Sequence, residues 1–367
     1  MKRNTLGLLS LLCMTPLVSH AGAPDPVQEI GHSVSKSQQT ASRIQLNALA
    51  RIPLGGIEQA IFVQGTKESN PVLLFLHGGP GVPIIPFVRD VDAHAKLQKH
   101  FVMVYWDQRG AGHSYHAGIP AESMNIAQFL ADTHELVEIL RTRFHTSKIY
   151  LAGHSWGSLL GVLTVARHPE LFYAYVGIGQ AVDLQENEQA SYQFAIDAAA
   201  KTDNRRALQQ LTAIGPPPYQ SYKEVLVERK WVQRLGGGKR TTSTYPTSLL
   251  GSVGSAGSST TILFGDALDW LHGPYFSLKH LWQELQSVNL FRQAPTLEVP
   301  VYFLAGRHDY YAPSLIVQRY YHELSAPKGK TLIWFEHSAH VPPAEEPDKF
   351  YEILVNTVLK ETFPLHQ

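Results

Sequence analysis

The chain has 367 residues, and 44% of them are hydrophobic, which suffices for one large core with an inserted subdomain or for two modest domains and excludes a disordered polypeptide. Lys plus Arg total 31 and Asp plus Glu total 31, so no net field gathers nucleic acid or an anionic membrane surface. The balance points to a small-molecule or short-peptide substrate and carries no signal for oligomeric state.

The first element in chain order is a leader. Met1-Lys2-Arg3 precede an apolar run from Leu6 to Val18, interrupted by Ser10 and Thr15, and then comes Ser19-His20-Ala21-Gly22-Ala23-Pro24. The run is shorter than the ~20 residues that span a bilayer, and its small flanking residues suit a signal peptidase. Residues 1–23 are therefore predicted to be a signal peptide cut after Ala21 or Ala23, giving a periplasmic or secreted protein with no membrane span in its mature form. The competing reading is an uncleaved N-terminal anchor. Cys13, the single cysteine, lies inside this leader, so thiol catalysis and thiolate metal sites are excluded for the mature chain. Residues 24–41, polar and containing Pro24 and Pro26, read as a flexible lead into the fold.

From residue 42 the chain alternates. Val72 to Leu76, Phe101 to Trp106 and Ile149 to Ala152 are short, continuously apolar and rich in β-branched or aromatic residues, the mark of strands buried on both faces. Between the last two, Phe129, Leu130, His134, Leu136, Val137 and Leu140 recur at helical spacing within residues 126–143. The series continues with an apolar stretch from Ser158 to Ala166, strands at Tyr173 to Ile178, Val301 to Leu304 and Thr331 to Phe335, and helices near Pro313 to Leu324 and Pro347 to Leu359. This predicts an α/β fold with a doubly wound, mostly parallel sheet, its core formed by residues 42–180 and 294–367. Residues 181–293 lack buried-strand signals and read as an inserted, mainly helical cap. Within the cap, Gly236-Gly237-Gly238 and the Gly-, Ser- and Thr-rich interval from Gly251 to Thr261 are expected to be loose loops.

The strongest chemical signal is Gly153-His154-Ser155-Trp156-Gly157, a G-x-S-x-G between a strand and a helix-compatible stretch. A serine at such a turn is pushed out above the sheet, and the flanking glycines leave room for strand and helix to approach. Ser155 is the predicted nucleophile. A second turn, His77-Gly78-Gly79-Pro80-Gly81, follows the strand ending at Leu76. Its glycines let main-chain N–H groups meet an oxyanion, and the predicted pair is the N–H of Gly79 with the N–H of Trp156.

A serine hydroxyl needs a base, and the base needs a carboxylate to fix its tautomer. Asp309 follows the strand Val301 to Leu304 and is the predicted acid. After the last strand, His337 and His340 compete for the base, and His340 is favoured because it lies nearer the start of the Glu345-Glu346-Pro347 helix. Asp107-Gln108-Arg109-Gly110-Ala111-Gly112-His113-Ser114 reads as a structural turn in which Asp107 pairs with Arg109 or with loop N–H groups. No His-x-x-x-His helix, carboxylate cluster or phosphate loop stands in a fitting context, so neither a metal nor another cofactor is expected.

With those residues in hand, the sequence resembles the proline iminopeptidase group of α/β-hydrolases, serine peptidases known by a His-Gly-Gly-Pro-Gly turn, an Asp-Gln-Arg-Gly-x-Gly-x-Ser turn and a Gly-Gly-Ser-Trp-Gly-Ser turn. Here these stand at His77 to Gly81, Asp107 to Ser114 and Gly153 to Ser158, with His154 in place of a glycine. The likeness spans roughly Arg43 to Ile178 and Pro300 to Glu361 and leaves the cap unmatched. It implies triad roles for Ser155, Asp309 and His340, oxyanion roles for Gly79 and Trp156, and attack on the bond after an N-terminal residue, often proline, whose free amine is held by acidic cap residues. Glu186 and Glu188 are the candidates for that amine site, with Glu224 and Glu228 as alternatives.

Three functions follow from this reading. The leading one is an exported aminopeptidase releasing N-terminal proline or a small residue. The second is an esterase, lactonase or amidase, favoured by an apolar lining from Tyr192, Phe194, Trp270 and Phe276. The third, a non-catalytic binding protein on a hydrolase fold, is disfavoured because nucleophile, oxyanion turn, acid and base are all present.

Overall fold

The computed structural model describes residues 37–88, 96–240 and 264–364, with side chains from residue 272 onward in the last of these. Eight strands form one sheet in the order β1-β2-β4-β3-β5-β6-β7-β8. They are β1 (Ala48–Leu54), β2 (Ile57–Gln64), β3 (Val72–Leu76), β4 (Val102–Asp107), β5 (Ile149–His154), β6 (Phe172–Ile178), β7 (Val301–Gly306) and β8 (Lys330–Phe335). β1 and β2 pair antiparallel, β2 meets β4 antiparallel, and every later pairing is parallel.

Every residue of β3, β4, β5 and β7 is buried, because each face of the sheet carries its own apolar layer. Val72, Leu74 and Leu76 point into a cluster with helices α1 (Ile126–Arg143) and α2 (Trp156–Arg167), whereas Leu73 and Phe75 join Phe350, Ile353, Leu354 and Val358 of the closing helices. The period of two thus explains why these strands read as unbroken apolar runs. Helix α1 opens where the Asn125 side chain accepts from the N–H of Gln128 at 2.9 Å.

The β1–β2 hairpin is an addition to the sequence reading. Its last pair is Leu54 with Ile57, leaving Gly55-Gly56 as a two-residue loop with φ of 55° and 83°. That left-handed pair suits glycine and matches the twist of the strands. Residues 37–42 are helical, so regular structure begins before the boundary expected near residue 42. The expected signal peptide lies outside the described residues.

Between β6 and β7 the described chain contributes helices only: α3 (Leu184–Lys201), α4 (Arg205–Ile214), α5 (Tyr222–Arg234) and α6 (Phe264–Leu285), followed by the short turn Leu290–Gln293. α3, α4 and α5 enclose a small core of Ala195, Ala199, Ala207, Leu211, Trp231 and Val232, which Tyr311 enters from the loop after β7. Glu224 closes a capping box with Ser221 at the start of α5, so its carboxylate is used by the helix end.

One expectation is corrected here, and an alternative left open is decided. Gly236-Gly237-Gly238 is packed and bonded: Gly237 O accepts from Tyr310 N at 2.8 Å and Gly238 O from His340 N at 3.1 Å. A Cβ on Gly237 would lie 2.5 Å from the Phe194 ring, so small size, not looseness, is the reason for glycine. The interval from Gly251 to Thr261 lies outside the described residues. Asp107 pairs with loop N–H groups and not with Arg109. Its oxygens accept from Ile84 N at 2.8 Å, Ile85 N at 3.1 Å and His113 N at 3.0 Å, with the His113 ring also at 3.0 Å. Arg109 turns instead to Asp132 on α1, at 2.9 Å and 3.1 Å, with both side chains buried.

Candidate active site

The candidate residues gather outside the carboxyl ends of β3, β5, β7 and β8, where the parallel strands deliver their following loops to one side of the sheet. Ser155 sits between β5 and α2 with φ 55° and ψ −120°, a left-handed backbone that costs a non-glycine residue about 1–3 kcal/mol. The strain is held by its neighbours. A Cβ on Gly153 would lie 2.3 Å from Gly157 O, and one on Gly157 would lie 2.2 Å from Leu76 O. Only glycines on both flanks let strand, turn and helix pack this closely. Ser155 N is anchored to Ile178 O at 3.0 Å.

Asp309 and His340 meet across two loops. His340 Nδ1 lies 2.8 Å from Asp309 Oδ2, and both side chains are buried. The other carboxylate oxygen, Oδ1, accepts from the N–H of Tyr311 at 2.9 Å and of Ala312 at 3.0 Å, which fixes the plane of the acid. Because a carboxylate accepts, Nδ1 carries the imidazole proton and Nε2 is left with its lone pair. His337 is exposed, its backbone N–H bonded to Glu346 at 3.1 Å, and it is not brought to Asp309.

Ser155, His340, Gly79 and Trp156 line one cavity of about 370 Å³ between the sheet end and the helices that follow β6. Trp156 is the first residue of α2, so its N–H has no partner within the helix. The turn carrying Gly79 is braced by Gln108, a residue whose role the sequence reading missed. Gln108 N donates to His77 Nε2 at 3.0 Å, its Nε2 donates to His77 O at 3.0 Å, and its Oε1 accepts from Trp156 Nε1 at 2.9 Å. One amide thus joins the turn after β3 to the turn after β5. Burial holds the His77 imidazole neutral, as this pattern requires.

On the opposite wall, Glu188 of α3 and Arg229 of α5 face the cavity, and Glu228 is fully buried beside them. Arg229 bonds Glu188 through Nη2 and Glu228 through Nη1, the latter at 2.7 Å. Among the described residues, Glu188 Oε2 and Glu228 Oε1 are buried without a hydrogen-bond partner. Burial raises the pKa of Glu188 and lifts Glu228 well above the ordinary carboxylate range, even though Arg229 pulls both down. One guanidinium thus serves two buried carboxyls, which leaves the group short of positive charge.

The other predicted residues fall elsewhere. Glu186 points to the exposed face of α3 and pairs with Arg319 at 2.6 Å, away from the cavity. Tyr192 packs against the small core of α3 to α5, Phe194 stacks on Tyr310 with centroids 3.8 Å apart, and Phe276 meets Tyr115. The Trp270 side chain lies outside the described residues. The apolar part of the cavity is lined instead by Val225, Leu226, Leu278, Trp282 and Leu285. Among the described residues, no group of three or more His, Cys, Asp or Glu side chains is placed to hold a metal ion.

An eight-stranded, mostly parallel sheet with a serine on a strained turn and an Asp–His pair on later loops defines an α/β-hydrolase enzyme. Comparison narrows the class. The serine aminopeptidase, S33, family model matches residues 92–232. A probable aminopeptidase of Bacillus subtilis, YbaC, is 38% identical over 307 residues, covering 83% of this chain and 94% of that protein. The proline iminopeptidase of Lactobacillus acidophilus is 31% identical over 121 residues, 33% of this chain and 39% of its own. The crystal structure of proline iminopeptidase from Mycobacterium smegmatis superposes with a TM-score of 0.58 at 19% identity, covering 86% of this chain and 99% of that one. The chain belongs to the serine aminopeptidase, S33, family of α/β-hydrolases, and is a serine hydrolase of the aminopeptidase-like kind.

Proposed function

We propose that this hydrolase is an exported aminopeptidase that releases N-terminal proline or a small residue through an acyl-enzyme on Ser155. In this reading His340 Nε2 takes the Ser155 proton as Oγ attacks the carbonyl carbon of the N-terminal residue. The Asp309 carboxylate holds Nδ1–H and stabilises the imidazolium. The N–H groups of Gly79 and Trp156 meet the developing oxyanion, where one such donor contributes about 3 kcal/mol. The C–N bond then breaks, His340 returns the proton to the leaving amine, and water repeats the sequence to free the amino acid and Ser155.

The observation that carries the aminopeptidase reading is the Glu188–Arg229 pair on the cavity wall with Glu228 buried beside it, a group with two carboxyls, one cation and two unpartnered carboxyl oxygens. A substrate ammonium supplies the second cation to Glu188, the carboxyl of this group that faces the cavity, and Glu188 takes the amine role in place of Glu186.

The test is hydrolysis of prolyl, alanyl and glycyl β-naphthylamides beside short acyl esters, by protein lacking residues 1–23 and by its Ser155→Ala and Glu188→Gln variants. Free-amine amides are expected to be cleaved, Ser155→Ala to be silent, and Glu188→Gln to lose about 10–100-fold in kcat/KM on amides. The apolar wall formed by Val225, Leu226, Leu278, Trp282 and Leu285 favours the second reading, an esterase, lactonase or amidase; ester turnover with no amide turnover selects it. Export rests on the order of basic, apolar and small residues in 1–23, and N-terminal sequencing of the protein recovered outside the cytoplasm tests it.

A further inference from the structure

His154 stands immediately before Ser155, is 5% exposed, and has no place in the proton relay described above. Its own backbone belongs to the nucleophile turn. Its ring reaches the two other loops that the reaction uses. Nε2 lies 2.8 Å from the backbone oxygen of His340. A carbonyl only accepts, so Nε2 carries the proton and Nδ1 is the acceptor nitrogen. Nδ1 is turned toward the oxyanion turn, where a Cβ placed on Gly78 would lie 3.1 Å from it. The ring also packs beside the His340 imidazole, with centroids 4.8 Å apart and planes inclined by 48°.

We propose that His154 is a positioning residue for the hydrolysis: by donating Nε2–H to the His340 carbonyl and packing against the His340 ring, it fixes the base relative to Ser155 and the oxyanion turn. The proposal rests on the reading of Ser155 as nucleophile and His340 as base. Two physical features support it. Histidine is long enough to bridge from the nucleophile turn to the base loop, which no glycine or alanine at this position does. The ring also adds no positive charge beside the His340 imidazole at working pH, since burial, reinforced by the neighbouring His340, depresses the pKa of His154 to about 3. The titratable groups around it are His340 and His77, and Asp309 and Tyr311 contact His340 from other directions.

The experiment compares His154→Ala, His154→Gln and Ser155→Ala with the parent enzyme, each with its melting temperature recorded. Gln carries an N–H donor at about the reach of Nε2, whereas Ala carries none. His154→Ala is expected to lower kcat about tenfold with KM within twofold, the split expected when alignment and not binding is lost. His154→Gln is expected to restore most of kcat with KM still within twofold of the parent. If His154→Ala does not fold, His154→Asn, whose amide stops short of the carbonyl, takes its place in the comparison. A folded Ala or Asn variant with parental kcat overturns the proposal, as does a Gln variant no better than Ala. Silent Ser155→Ala with parental His154→Ala removes this proposal alone, while an active Ser155→Ala removes the reading beneath it.

Discussion

Gly306, at the end of β7, touches no substrate, yet replacing it by alanine is expected to disable the enzyme. Its φ is not left-handed, so the backbone accepts an L residue, and the obstacle is purely one of contact. A Cβ there would stand 1.8 Å from Ala339 O and 2.7 Å from Ala339 C. Contacts below 3.0 Å are not tolerated, so the loop after β7 and the loop after β8 must part by roughly 1.2 Å. These loops carry Asp309 and His340, whose bond is 2.8 Å long, and a separation of that size takes it beyond hydrogen-bond range. A misplacement of ~1 Å costs on the order of 100-fold in rate, and loss of the correct imidazole tautomer up to ~10,000-fold, so kcat/KM should fall within that span. The accompanying cost to folding is about 1–3 kcal/mol, which leaves a cooperative melt to verify by circular dichroism. Steady-state kinetics on alanyl β-naphthylamide and on an acyl ester give the readout. A folded Gly306→Ala enzyme within threefold of the parent on both substrates would refute the reasoning.

Asp132→Ala strands the buried Arg109 cation and should destabilise the protein by about 3–5 kcal/mol, seen as a lower urea midpoint; an unchanged midpoint would mean that water reaches Arg109. Glu228 has a folded pKa raised by burial, so the native state binds more protons than the unfolded one once pH exceeds the ordinary value of 4.5, and stability falls as pH rises toward the folded pKa. Glu228→Gln should therefore flatten the decline in melting temperature as pH rises above the ordinary carboxylate value, and an equally steep decline would show that Glu228 is not its source. Tyr311→Phe removes only the hydroxyl that donates to Arg229 O at 2.9 Å, so α5 should be held about 1 kcal/mol less firmly. The expected result is a KM for free-amine amides raised a few-fold with kcat near the parent value, and a change confined to kcat would argue against it.

The parts of this fold that the sequence displays are those where one residue type answers one local demand. β3, β4, β5 and β7 are buried on both faces, so their apolar runs are unbroken and leave no ambiguity of face. Ser155 is legible because the close approach at Gly153 and Gly157 admits glycine alone. β1 and β2 were harder to see: β1 is half exposed and carries Arg51 and Pro53, although Gly55-Gly56 between the two β-prone segments is a hairpin signal. Other features depend on partners distant in the chain. Gln108 bonds His77 and Trp156, the Arg109 partner comes from α1, and the tightness of Gly237 is set by Phe194 and Tyr310. Glu186 and Glu188 differ by two residues on one helix, which turns them toward opposite surroundings; helix phase separates them, and composition does not.

The segment at Gly236-Gly237-Gly238 bears on how such enzymes can be recombined. Its carbonyls receive the N–H groups of Tyr310 and His340, so part of what holds the loops after β7 and β8 is encoded between β6 and β7. A chimaera that keeps this sheet and imports a foreign segment between β6 and β7 therefore inherits an incompletely held His340 loop unless residues 236–238 travel with the host. The functional seam between modules lies inside the β6–β7 segment, several residues beyond α5, and not at the strand ends where a topology diagram would cut it.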